Sequence, residues 1–403
     1  MADAREPNEA THLPRSSHRG ASDGAHPVFL FASDSFKGTL SSQRIAQLLT
    51  EEAQALFPHV ECRILEIADG GEGTAASVVS QAGGKMVPVR VQGPLAVSVE
   101  AQYGLLENGS VILDSASASG LPLVPPAERN PLQTSTYGTG QLIRAALDAD
   151  ARDIAIGLGG TATVDGGMGM LAALGVRFWD NGMWEVPSCG GNLEDVSRID
   201  MSGLDPRIRE CRVRALCDVD NPLLGPRGAA TVFGPQKGAD SAGVATLEKG
   251  MRKYAQVIER ATGIPVSDMP GAGAAGGLGA ACASVLGAEL VPGIECVLDL
   301  IHFDEALTGV DLCITGEGRL DEQTLSGKAV SGIARRCMEA GVACAAIVGS
   351  RSAAVTDEDL ENAGIAFAVS TGADGRGWDE IRAHAEESYR CAAKELFTCW
   401  NSR

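Results

Sequence analysis

The residues with chemical capacity in this chain gather in five short clusters, each beginning where an apolar run ends. Asp34-Ser35-Phe36-Lys37-Gly38 follows the run 28–33, and Asp69-Gly70-Gly71-Glu72-Gly73-Thr74 follows 62–68. Gly159-Gly160-Thr161-Ala162-Thr163-Val164-Asp165 follows 153–158, Asp218-Val219-Asp220-Asn221-Pro222 follows 211–217, and Gly316-Glu317-Gly318-Arg319-Leu320-Asp321 follows 310–315. Glycine lets backbone N–H groups approach phosphate oxygens, and a helix N-terminus can point at them. Lys37, Lys237 and Arg319 are cations suited to a transferring phosphoryl group or a substrate carboxylate, Arg having the bidentate geometry. Asp218 and Asp220 suit hard-oxygen chemistry, either holding Mg²⁺ or taking a hydroxyl proton. The set describes phosphoryl transfer, in which a protein supplies positioning and charge stabilisation more than covalent chemistry.

Any one cluster has the composition of an ordinary βα turn. Five in succession point to one shared cleft, because the carboxyl ends of strands form the ligand crevice of an open α/β sheet. The elements between them agree. Short β-rich runs alternate with helix-period segments, the βαβ rhythm of a mainly parallel sheet. Ile45, Leu48, Leu49, Ala53 and Leu56 make one helical stripe with Ser41 placed as its cap. Val244, Leu247, Met251, Tyr254, Val257 and Ile258 make another, stopped by Gly263 and Pro265. Further strands are expected at 111–114, 153–158, 211–217, 310–315, 342–348 and 365–369. The Pro-rich stretch 121–131 reads as a connection, and a domain change is expected near 90–130.

Composition removes several function classes. The chain has 403 residues, 44% hydrophobic and 21% charged, which is ordinary globular usage. Its 33 basic and 52 acidic residues leave a net charge of −19, which repels nucleic acid and anionic membranes but not an anion held in a locally cationic cleft. The longest uncharged run, 269–288, contains six glycines and reads as turn plus helix, not as a membrane span. Eleven cysteines without a C-x-x-C read as reduced thiols with no metal site, which suits a cytoplasmic protein. Three of the six histidines lie within residues 1–26, an expected disordered tail, so chemistry built on a His base is disfavoured.

Two G-x-G-x-x-G/A matches, Gly157 to Ala162 and Gly271 to Gly276, keep an NAD(P)-dependent oxidoreductase acting on a small hydroxy acid as the alternative reading. A non-catalytic binder of small acids is a third. No G-x-x-x-x-G-K-[ST] is present, so a P-loop kinase is excluded.

With those clusters in view, the chain resembles the type I glycerate kinase family from about residue 27 to 350, and more loosely to the end. The resemblance rests on eight segments in one order: Asp34-Ser-Phe-Lys-Gly, Ala68-Asp-Gly-Gly-Glu-Gly-Thr, Thr136-Tyr-Gly-Thr-Gly, Gly159-Gly-Thr-Ala-Thr-Val-Asp-Gly-Gly, Cys217-Asp-Val-Asp-Asn-Pro-Leu, Phe233-Gly-Pro-Gln-Lys-Gly-Ala, Pro270-Gly-Ala-Gly-Ala-Ala-Gly-Gly-Leu-Gly, and Thr315-Gly-Glu-Gly-Arg with Gln323-Thr-Leu-Ser-Gly-Lys. It implies ATP- and Mg²⁺-dependent phosphorylation of D-glycerate, usually to 2-phosphoglycerate. It also implies two α/β domains with mainly parallel sheets and the site in the cleft between them. One domain, residues 27–95 with 295–403, is built from both chain ends; the other, 96–294, is inserted. A homodimer is compatible with it.

On that basis Lys37, Asp218 and Asp220 are expected to be catalytic, and Asp34, Ser35, Arg319 and Asp165 to bind substrate. Gly70, Gly71, Gly159, Gly160, Lys237, Gly276 and Gly277 are expected against nucleotide phosphates, with Asp218, Asp220 and Glu317 on the metal. Val164 departs from the family, where Asn usually precedes the Asp of the third cluster. Val offers no side-chain hydrogen bond, so a contact made there by Asn must be lost or supplied by Thr163.

Overall fold

A computed structural model of the chain describes residues 26–36, 38–67, 73–322, 324, 328–372 and 375–402. Lys37, Gly70, Gly71 and residues 1–25 lie outside them. Thirteen strands are present among the described residues: β1 Val28–Phe31, β2 Glu61–Ile64, β3 Gly84–Gln92, β4 Ser98–Leu106, β5 Val111–Asp114, β6 Asp153–Gly157, β7 Arg177–Trp179, β8 Arg198–Asp200, β9 Arg212–Leu216, β10 Glu289–Val291, β11 Leu312–Leu320, β12 Ala343–Arg351 and β13 Phe367–Ser370. The first sheet runs β13-β12-β11-β1-β2 with every neighbour parallel. Both chain ends contribute to it. The second runs β10-β9-β6-β5-β4-β3, parallel from β10 to β5 and antiparallel beyond. β7 and β8 form a separate ribbon.

Period-2 alternation divides the apolar side chains among three cores, because successive residues of a strand face opposite ways. Phe29, Phe31, Leu312 and Ile314 face helices Ser42–Leu56 and Ala385–Asn401. Ile154, Ile156, Val213 and Ala215 face a core shared with helices Tyr137–Asp148 and Ser241–Thr262. The intervening positions, Leu30 and Ala346 of one sheet and Ile112, Ala155 and Leu216 of the other, share a third core. Helices Thr74–Ala82, Gly293–Leu300 and Ala329–Ala340 supply its filling. The two sheets are therefore joined through one apolar layer, which fixes the carboxyl ends of their strands relative to each other.

Local signals explain the helix ends. Ser41 Oγ accepts from Arg44 N at 3.2 Å, and the Asp240 carboxylate accepts from Gly243 N at 2.7 Å; each satisfies an amide that the first turn leaves open. The second helix stops at Gly263, whose φ of +77° suits glycine. None of the described helices is long and apolar enough to cross a membrane.

Two expectations need correction. Gly84–Gln92 pairs with Ser98–Leu106 over nine residues, so both strands belong to the second sheet and the expected boundary at 95/96 falls inside their hairpin. The cluster after residue 315 is not a turn: β11 runs on through Leu320, paired with β12. Glycine makes this extension possible, since a Cβ on Gly316 would lie 2.1 Å from Ile347 O.

Candidate active site

Strand extension places the first group of functional side chains. In β11, Glu317 and Arg319 are two residues apart and so share a face, which opens on a cavity of about 550 Å³. Asp34 and Ser35, just past β1, line the same cavity, as do Asp218 beyond β9 and Lys328 at the cap of helix Ala329–Ala340. The Asp34 carboxylate is oriented by Ser35 N, which donates to it at 2.6 Å. Phe36, Ile381 and Trp378 form an apolar wall. Trp378 reaches it because Gly38 has no side chain: a Cβ there would lie 2.8 Å from the indole. Burial pushes the Glu317 carboxyl up to about 7, against a Thr324 hydrogen bond and the Lys328 charge, and with help from Asp321 and Asp34. Its Oε1 is buried and has no hydrogen-bond partner among the described residues.

A second cavity of about 460 Å³ lies at the carboxyl ends of β6 and β9. Gly159 and Gly160 form one edge and Lys237 and Arg129 another, with Phe233, Pro122 and Leu158 as apolar lining. Lys237 is 3% exposed, and its Nζ donates to Thr163 O at 2.7 Å and Thr161 Oγ1 at 3.0 Å. Burial pulls its ammonium down to about 7, Asp165 opposing. Arg129 Nε is buried without a partner among the described residues. A bound anion would supply what both cations lack. Asp218 also lines this second cavity, so it stands where the two meet. It is held there by Gly293 N, which donates to Oδ1 at 2.8 Å from the first turn of helix Gly293–Leu300.

The cleft thus collects Asp34, Ser35, Asp218, Glu317 and Arg319 on one side, and Gly159, Gly160 and Lys237 on the other. Other expected site residues belong elsewhere. Asp165 is fully buried, accepts from Thr136 N and Oγ1 at 2.8 Å and from Gly167 N and Gly169 N at 3.1 Å, and so pins a glycine turn out of a ligand's reach. Gly276 and Gly277, at φ +71° and +91°, are packed by protein: a Cβ on Gly276 would lie 2.1 Å from Thr163 O, and one on Gly277 2.9 Å from Gly166 Cα. Asp220 is exposed, pairs with Arg227 at 2.5 Å and lines neither cavity. Val164 is buried in the core of the second sheet, away from the cleft.

Arg129, Lys328, Arg376 and Trp378 line the cavities and were not assigned roles from the sequence. Only Lys328 sits in a recognisable segment; the others are isolated in loops or at a helix start. Asp114, at the end of β5, accepts from Gly73 N at 3.0 Å and Ala75 N at 3.4 Å, tying helix Thr74–Ala82 to the second sheet.

The donors present fit Mg²⁺, which takes hard oxygen ligands and commonly needs only one or two carboxylates besides phosphate and water. Glu317 supplies a buried carboxylate oxygen in the cavity wall that has no hydrogen-bond partner among the described residues.

Two mainly parallel α/β sheets, glycine-edged cations and carboxylates meeting in one cleft, and no P-loop define a small-molecule kinase of the non-P-loop kind. Residues 29–401 match the model of the glycerate kinase family. A glycerate kinase of Bacillus cereus is 44% identical over 374 residues, covering 92% of this chain and 97% of the relative. The glycerate 2-kinase of Escherichia coli K12 is 44% identical over 306 residues, 76% of this chain and 80% of its own. A solved chain from Salmonella typhimurium LT2, assigned to glycerate kinase 2, superposes with a TM-score of 0.80 at 39% identity, covering 94% of this chain and 99% of that one. The chain belongs to the glycerate kinase family.

Proposed function

We propose that this chain transfers the γ-phosphoryl group of ATP to D-glycerate, giving 2-phosphoglycerate, with Mg²⁺ as the metal. As a member of its family it is a kinase acting on glycerate. The observation that carries the finer reading is the pair of cavities meeting at Asp218. Nucleotide phosphates are assigned to the second cavity, where the amides of Gly159 and Gly160 and the charges of Lys237 and Arg129 surround an anion. Glycerate takes the polar end of the first, its carboxylate on Arg319 and its hydroxyls toward Asp34 and Ser35. Lys37 is assigned to the transferring phosphoryl from its place two residues after Ser35 in the chain.

In the reaction a glycerate hydroxyl oxygen bonds to the γ-phosphorus as the bond to the β–γ bridging oxygen breaks, and ADP leaves. The hydroxyl proton passes to Asp218. Glu317 would hold Mg²⁺, which when bound offsets negative charge on the phosphates. Arg319 orients the acid so that the attack is in line, an entropic advantage that the flexible substrate lacks in water. The dinucleotide reading loses its second motif, because protein packing fills the space beside Gly276.

A coupled ADP-release assay over several hydroxy acids, with NMR of the product, tests the proposal. D-glycerate should release ADP and yield a phosphorus resonance coupled to the C2 proton. Nicotinamide reduction without ADP release, or coupling to the C3 protons, would overturn the activity or the regiochemistry respectively.

A further inference from the structure

Outside the cleft, chain topology assembles a group that spacing along the sequence conceals. Cys313 lies on β11, Cys337 on helix Ala329–Ala340 and Cys344 on β12. Their sulfur atoms all lie within 4.8 Å of one another. Cys313 and Cys344 are register neighbours in the parallel pair, and the helix crossing back over the sheet lowers Cys337 onto them. All three are 1% exposed or less, within the apolar core that includes Leu30, Val330 and Ala346.

We infer that Cys313, Cys337 and Cys344 form a three-sulfur site for a soft monovalent ion, Cu(I) being the biological ion of that chemistry. Thiolate sulfur favours soft ions, Cu(I) and Zn²⁺ among them. Coordination number separates these two. Zinc in a structural site takes four ligands, whereas the group here stops at three among the described residues. At a metal–sulfur bond of about 2.3 Å, three trigonal sulfurs stand about 4 Å apart, inside the observed spread. Each sulfur that binds does so as a thiolate, its S–H proton leaving to solvent, and no oxidation state changes.

The site would brace the elements that carry the cleft. β11 presents Glu317 and Arg319, β12 presents Ser350, and the helix begins beside Lys328, all of which line the first cavity. A bound ion would stabilise the native state by mass action without touching substrate.

The reduced full-length protein is titrated with Cu(I) against a chromophoric Cu(I) chelator, and the loaded protein is examined by X-ray absorption. One equivalent should resist the chelator, show three sulfur neighbours and raise Tm. Cys313→Ala, Cys337→Ala and Cys344→Ala should each weaken retention at least tenfold, while Cys282→Ala, buried in the other core, should not. Should those variants misfold, alkylation of the loaded wild type during brief denaturation decides the matter. Peptides carrying the three cysteines should be protected relative to those carrying Cys391 and Cys399, which are exposed. Loss of the ion to the chelator, two sulfur neighbours in place of three, or protection centred on Cys391 and Cys399 would overturn the assignment.

Discussion

Lys237 is the group whose charge state should respond most to the nucleotide. In the free protein burial holds its ammonium down to about 7, so at pH 8 about one molecule in ten carries the proton. A phosphate beside Nζ returns the group toward its ordinary value near 10.4, where it is fully protonated. ATP binding at pH 8 should therefore take up about 0.9 proton, and at pH 6 almost none. The sign follows from the lowered pKa: below about 7 the charge is already present, and above it binding must recruit a proton. Affinity should weaken by about tenfold between pH 6 and pH 8, the fraction of competent protein falling by that factor. Titration calorimetry in buffers of different ionisation enthalpy reads the proton count directly as a slope. Lys237→Met should abolish the uptake at pH 8 and flatten the pH dependence of Kd. An uptake unchanged in the Met variant, or none in the wild type, would remove Lys237 from the phosphate site.

Arg319→Lys should raise KM for glycerate by about ten- to a hundredfold with little change in Tm, since it loses the bidentate bond that a carboxylate accepts; an unchanged KM would place the acid elsewhere. Gly276→Ala should cost about 2–4 kcal/mol of stability, because its Cβ would collide with Thr163 O at φ +71°; a calorimetric Tm within a degree of wild type would refute the packing role. Asp165→Asn should destabilise by about 3 kcal/mol, since an NH₂ replaces one oxygen of a carboxylate whose Oδ2 faces three donors and whose Oδ1 faces one, and residual folded enzyme should keep its KM values; a selective rise in KM for glycerate would return Asp165 to the site. Acidification should protonate Glu317 below about pH 7, so activity at limiting Mg²⁺ should fall there and excess Mg²⁺ should partly restore it; an acid limb identical in Glu317→Gln would assign it to another group.

The helices were the legible part of the fold. Ser42–Leu56 is capped by Ser41 and Ser241–Thr262 stops at Gly263, both as expected, because stripe, cap and stop signal all act locally. The β3–β4 hairpin was missed. Pro88 and scattered charges weaken the strand pattern of Gly84–Gln92, and only its position at the sheet edge makes a proline acceptable there. Glycines at 316 and 318 read as a turn, whereas in β11 Gly316 admits the close approach of β12 and a Cβ on Gly318 would meet nothing within 4 Å. At the cleft, motif membership picked out loops that border the two cavities but not the direction in which each side chain faces. Asp165 and Gly276 have the chemistry of ligand contacts and are spent on holding those loops together, while Asp218 points into the cleft from the same kind of segment. Arg129 and Trp378 carry no local pattern at all; only tertiary packing shows them.

The first sheet places β1 between β2 and β11, yet residues 65 to 311 are translated between those partners. At about 5–20 residues per second a ribosome needs roughly 12–50 s to deliver them. Throughout that interval the nascent N-terminal strands have one open hydrogen-bonding flank and the apolar side chains Phe29 and Phe31 without their cover. The second sheet, by contrast, is complete once β10 has emerged, while β11, β12 and β13 of the first are still to be made. Vectorial synthesis therefore makes the second sheet the earlier folding nucleus and leaves β1 without its later partner until β11 arrives.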